Sequence, residues 1–151
     1  MGTAMFYHLT RSTPQQTLAM ILPRALAQGW RVMLRSPDPV SLDRLDAQLW
    51  LGIDDSFLPH GRAGADSDAD QPILLGAGPI ANGAQGLVLL DGAQTTPPEA
   101  LALERVWALF DGADSAAVAQ ARSLWTALTS AGMPAQYWSE EAGKWEKKAE
   151  K

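Results

Sequence analysis

The chain contains no cysteine. Disulfides, thiolate catalysis and cysteine-based zinc sites are therefore excluded. It has only two histidines, His8 and His60. That is too few for a multi-histidine metal site, and no metal, cofactor or catalytic constellation is expected. No apolar run approaches the roughly 20 residues that cross a bilayer. The start lacks the basic and apolar regions of a secretory leader. The expected address is the cytoplasm, with no membrane contact. Positive charge is also scarce: charged residues make up 19% of the chain and the net charge is −5. A net-acidic body lacks the concentrated basic surface that neutralises phosphates, so no direct nucleic-acid binding is expected.

The cations that exist are segregated. Every lysine lies near the end, at Lys144, Lys147, Lys148 and Lys151, and the cations before them are arginines. Most of those arginines are expected to solvate the surface, although a guanidinium fork also suits a carboxylate or an acidic peptide. Apolar residues make up 46% of 151 residues, enough for the core of a single domain over residues 1–151.

Periodicity divides the chain into alternating strands and helices. Residues 4–9 (AMFYHL) read as a strand. Thr13-Pro14 reads as an N-cap followed by proline at the first helical position. Leu18, Ile21, Leu22, Ala25 and Leu26 then share one helix face. Pro23 inside that pattern predicts a kink or a division, and Gly29 a stop. Residues 31–35 (RVMLR) form a second strand. Ser41 is the expected cap of a second helix carrying Leu42, Leu45, Leu49 and Trp50, ended by Gly52.

Residues 54–72 lose this periodicity and read as an exposed, mobile loop. Two apolar runs follow, residues 72–75 and 86–91, joined by a glycine-rich loop at 76–86. A short helix at 97–103, a strand at 105–110, a helix capped by Asp114 or Ser115 and ended near Gly132, and a strand at 133–138 complete the pattern. The polar tail at 139–151 has glutamates before lysines, which matches a helix dipole and predicts a short helix. The fold class is thus α/β: a single three-layer sandwich with a largely parallel sheet, Rossmann-like in topology but without a nucleotide site.

Several residues invite a chemical reading. Gly76, Gly78 and Gly83 follow a strand, as phosphate loops do. A phosphate loop must lead directly into a helix, and here a strand follows. Asp91 at a strand end is a lone carboxylate and reads as a turn former. His60 has no partner acid or nucleophile at a recognisable spacing. The tryptophans are more suggestive. Trp125 follows Arg122 by three residues, so both lie on one side of a helix. Two readings stay open for Trp125. It belongs to a core stripe with Val118, Ala121 and Leu128, or it walls an apolar pocket with a cationic rim, suited to a peptide ending in an aromatic residue and a carboxylate.

The pieces FYHL, GWRVMLRS, LDRLDAQLW, SFLPH, LVLLDG, RVWALFDG and AVAQARSLWTALTSAG run nearly end to end. Together they resemble the chi-subunit family of the bacterial DNA polymerase III holoenzyme. Residues 42–60, with LDxxLW, a spacer and SFxPH, carry the most specific part of the likeness. The resemblance implies a non-catalytic adaptor of the clamp-loader assembly, active in DNA replication. Its implied partner is the acidic C-terminal tail of single-stranded-DNA-binding protein, with a psi subunit or the clamp loader as the second. It also implies a peptide site formed by Trp50, Phe57, Arg122 and Trp125. Trp125 stands where the family pattern suggests tyrosine, and Val118 and Thr126 stand where it can carry lysines. The runner-up, a nucleotide- or phosphate-handling enzyme on the same scaffold, would use the glycine-rich loop and Asp91.

Overall fold

A computed structural model describes residues 2–51, 58–140 and 143–151. Four helices and eight strands occur along these residues: β1 (Thr3–Leu9), α1 (Pro14–Ala27), β2 (Val32–Arg35), α2 (Pro39–Leu51), β3 (Gly61–Arg62), β4 (Ile73–Gly76), β5 (Gly86–Leu89), α3 (Pro97–Leu101), β6 (Arg105–Asp111), α4 (Ser115–Ser130), β7 (Ala135–Ser139) and β8 (Glu146–Glu150). The strands form one sheet in the order β3-β4-β2-β5-β6-β1-β7-β8. Every neighbouring pair is parallel except β7 and β8.

Strand side chains alternate between two apolar cores. Met5, Tyr7 and Leu9 of β1 face one cluster, together with Val32, Leu34, Ile73, Leu75 and Val88. Ala4, Phe6, Met33, Leu74, Leu87 and Leu89 face the other. The central strands are covered on both sides, which is why they read as unbroken apolar runs. Helix α1, through Leu18, Ile21, Leu22 and Ala25, and helix α2, through Leu42, Leu45 and Leu49, cover the first face. Ala100 of α3 and Ala121, Leu124 and Leu128 of α4 cover the second. This is the expected three-layer α/β arrangement.

Local capping follows the sequence in two helices. Thr13 and Gln16 form a reciprocal capping box at α1. Asp114 accepts from the amides of Ala116 and Ala117 at α4. Elsewhere the structure corrects the sequence reading. Helix α1 runs unbroken through Pro23. Pro23 is exposed, so the carbonyl it leaves unbonded, that of Ala19, lies toward the wet side of the helix. Helix α2 begins at Pro39, not after Ser41, and Asp38 accepts from the amide of Val40.

The segment expected to be one exposed loop contains β3 and a 3-10 turn at Asp68–Asp70, whose Asp68 carboxylate accepts from Gly64 and Ala65. Gly52 and residues 53–57, Phe57 among them, lie outside the described residues. The largest correction is at the end. The expected polar helix is instead β8, which pairs antiparallel with β7. Trp145 before it packs on the first core, its ring 5.1 Å from that of Tyr7. Pairing satisfies the backbone groups of the β7 edge, a gain that the local glutamate–lysine pattern does not register.

Candidate functional site

Helix α4 holds the first two candidates. The buried stripe of α4 is Ala121, Leu124 and Leu128. Trp125 is turned partly off that stripe and is half-buried. Its ring meets Phe6 edge-on at 5.3 Å between centroids and Tyr137 at 6.3 Å. Tyr137 is in turn held by a 2.6 Å hydrogen bond between its hydroxyl and His8 Nδ1. One side of the ring thus packs on the core and the rest reaches solvent. Arg122, one turn away, is exposed. An apolar ring fixed in orientation beside a solvated guanidinium can take an apolar side chain and a carboxylate together.

Trp50 is placed elsewhere. It stands at the end of α2, 62% exposed, beside Leu51 at 87%. Its ring meets His60 edge-on at 5.1 Å. His60 is buried; its Nδ1 donates to the Leu58 carbonyl at 2.8 Å and its Nε2 lies 2.9 Å from Asp46 Oδ1. It therefore ties Leu58 to Asp46 of α2. Because α2 covers one face of the sheet and α4 the other, the sheet stands between Trp50 and the Arg122–Trp125 pair. Of the four residues grouped from sequence, Arg122 and Trp125 lie together on α4, Trp50 lies on α2 over the other face of the sheet, and Phe57 lies outside the described residues.

The residues of the enzyme reading are occupied structurally. Asp91 adopts a positive φ of 56° in a turn and accepts from the Ser36 hydroxyl at 2.6 Å. The glycine-rich loop is pinned rather than free. Arg35, which is 8% exposed, donates to the carbonyls of Gly78 and Gln94 and makes a bidentate pair with Glu99 at 2.7 and 2.9 Å. That hydrogen bonding holds the Glu99 carboxyl below the ordinary carboxylate range, against the opposing effect of burial. Asn82, also buried, donates to the carbonyls of Val32 and Gln71.

The carboxyl ends of β1, β5 and β6 border a cleft of about 740 Å³, where parallel α/β sheets commonly bind ligands. Asp91, Asp111 and Asp114 line it, with Arg44. Several amides at its rim already have carboxylate or hydroxyl partners. Thr13 caps α1, Asp114 caps α4, and Glu140 Oε1 accepts from the amides of Thr10, Arg11 and Ser12. Among the described residues no group of three metal-ligating side chains occurs, and no helix is long and apolar enough to cross a membrane. Sequence reasoning missed Arg35 and Glu140, because neither carries a local signal of its distant partners.

Comparison with known proteins accords with the α/β arrangement. Residues 1–136 match the family model described as DNA polymerase III chi subunit, HolC. The chain is also similar to the DNA polymerase III subunit chi of Pseudomonas aeruginosa, with 32% identity over 76 residues. That match covers 48% of this chain and 52% of the relative, so the similar segment spans about half of each protein. With a family match that takes in every strand up to the start of β7, together with the two helices on each face, the chain belongs to the DNA polymerase III chi subunit family.

Proposed function

We propose that this protein is a non-catalytic, cytoplasmic adaptor in DNA replication that binds the acidic C-terminal tail of single-stranded-DNA-binding protein through Arg122 and Trp125. The observation that carries the reading is the pairing on α4 of an exposed guanidinium with a ring oriented by Phe6 and Tyr137. A disordered acidic tail with an apolar end supplies the complementary groups. Burying one aromatic side chain contributes roughly 1.5–3 kcal/mol. A charge-assisted hydrogen bond to Arg122 contributes about 1.5–3 kcal/mol. Ordering the tail and loss of its translational freedom offset much of this, leaving a dissociation constant of roughly micromolar order. Fast exchange at that affinity lets the contact be made and broken as a polymerase advances.

An adaptor must hold two partners at once, and the two faces of this sheet offer separate surfaces. Among the described residues, Trp50 and Leu51 are large exposed apolar side chains on α2, which covers the face opposite α4. Large exposed apolar side chains are a common feature of protein contacts. In this reading they serve the second partner, a psi subunit or the clamp loader, and not the tail. The test is a titration of a fluorescent acidic peptide ending in phenylalanine against wild type and Arg122→Ala, with thermal melts of both. Weaker binding by an equally folded variant supports the site. Equal affinities remove Arg122 from it.

A further inference from the structure

The tail surface on α4 borders the β7–β8 edge of the sheet, and β8 lies beyond the residues that match the family, 1–136. We propose that β8 completes the acidic-peptide site by widening its floor and by supplying Lys151 as a second cation, so that an extended acidic segment is held at both ends. This inference rests on the tail-binding reading.

Register decides which side chains share the α4 face, because directly paired residues of an antiparallel ladder point the same way. Tyr137 packs against Trp125 on that face, and its partner is Ala149. Ala135 is buried in the same core as α4 and exchanges both backbone hydrogen bonds with Lys151, at 3.1 and 2.8 Å. Ala149 and Lys151 therefore stand on the α4 side, and both are exposed. Lys147 is paired with Trp138, which packs on the opposite core. Its Nζ reaches Glu150, whose own partner is Gln136, on that opposite side as well. The strand thus divides its lysines between the two faces.

The placement along the shelf fits an extended ligand. Helix α4 connects the parallel strands β6 and β7 and so runs against them. Arg122 lies three helical positions from Trp125 toward the carboxyl ends of the strands, roughly 4.5 Å at the rise of a helix. Lys151, opposite Ala135, lies two strand positions from Tyr137 the other way, roughly 7 Å. The two cations bracket the Trp125–Tyr137–Ala149 strip across about 11 Å, the length of three or so extended residues. An apolar side chain on the strip leaves acidic neighbours at either end. Lys151 is suited to such a neighbour because its ammonium makes no ion pair within 4.0 Å among the described residues, whereas Lys147 and Lys148 pair with Glu150 and Glu146.

The test uses two charge reversals on one short strand. Lys151→Glu and Lys147→Glu change the net charge equally but on opposite faces. The probe is the fluorescent acidic peptide ending in phenylalanine, at one fixed salt concentration, with melts as a control of folding. Lys151→Glu is expected to weaken the peptide about fivefold, and Lys147→Glu by less than about twofold, the range open to exposed charge pairs. Equal effects of the two reversals overturn the inference, because they reduce it to net charge. So does unchanged binding by Lys151→Glu when Arg122→Ala weakens the peptide, a result that leaves the tail reading standing. Absence of peptide binding by wild type overturns both.

Discussion

Glu140 and Ser12 are joined twice: the Ser12 amide donates to Oε1 at 2.6 Å and its hydroxyl donates to Oε2 at 2.7 Å. Oε1 also accepts from the amides of Thr10 and Arg11 at 3.0 and 2.8 Å. One carboxylate, only 5% exposed, thus satisfies three successive backbone donors in the turn between β1 and α1. It ties the segment after β7 to the start of the fold.

Removing that carboxylate strands the donors. Glu140→Ala should cost about 1.5–3 kcal/mol, the net worth of hydrogen bonds to a charged acceptor, since the donors left behind are only part-buried. Glu140→Gln keeps one acceptor oxygen and should cost less, about 1 kcal/mol. Urea unfolding monitored by tryptophan fluorescence measures both. A loss within ~0.5 kcal/mol for Glu140→Ala, typical of an uninvolved surface position, would show that solvent replaces the contact.

The same contact makes stability depend on pH. Burial raises the pKa of Glu140, but the hydrogen bonds from Ser12, Arg11 and Thr10 outweigh it and hold the carboxyl below its ordinary value. Glu99 is lowered as well, chiefly by hydrogen bonding from Arg35. A group whose folded pKa is depressed stabilises fully above its unfolded value, and loses that contribution as pH falls through the folded one. Unfolding free energy should therefore drop as pH falls below the ordinary carboxylate range. Glu140→Gln should flatten that drop. Parallel pH profiles for wild type and Glu140→Gln would count against the assignment.

Much of the fold is legible in the sequence because its determinants are local. Thr13-Pro14 followed by the 18, 21, 22, 25 periodicity specifies α1, and Asp114 before a helical stripe specifies α4. Long-range pairings are not legible. Arg35 looks like any strand-end arginine, yet its partner Glu99 is sixty-four residues away. The run EKKAE reads as helix, and only the open edge of β7 makes it a strand. The candidate site divides on the same line. Arg122 and Trp125 are one helical turn apart and their proximity follows from spacing. Trp50 belongs with α2, and the face α2 takes is set by the connections across the sheet rather than by its own residues.

Arg35 offers a test of buried pairing. Arg35→Ala leaves the Glu99 carboxylate and the carbonyls of Gly78 and Gln94 without their donor. Because the Glu99 side chain left behind is 27% exposed, the loss should be about 1.5–3 kcal/mol, the worth of hydrogen bonds to a charged group. Arg35→Lys should recover little, since a single ammonium cannot reproduce the bidentate fork together with two carbonyl contacts. Chemical denaturation of both variants checks this, and full rescue by lysine would contradict it.

The division of the aromatics between two faces yields the sharpest expectation. Trp50 and Trp125 are both tryptophans near helix surfaces, but only Trp125 stands beside Arg122. Trp50→Ala should leave the affinity for an acidic peptide ending in phenylalanine unchanged. Arg122→Ala should weaken it by about 1.5–3 kcal/mol, the worth of a charge-assisted hydrogen bond. Added salt should weaken the wild-type complex and the Trp50→Ala complex along the same slope, while Arg122→Ala shows a shallower one because one screened charge is gone. Trp125→Phe is a better probe of the ring than Trp125→Ala, since it retains part of the packing on Phe6 and Tyr137. Fluorescence anisotropy at several salt concentrations, with melting temperatures for each variant, gives all of these quantities. If Trp50→Ala weakened the peptide as strongly as Arg122→Ala in equally stable proteins, a peptide site confined to the α4 face would be ruled out.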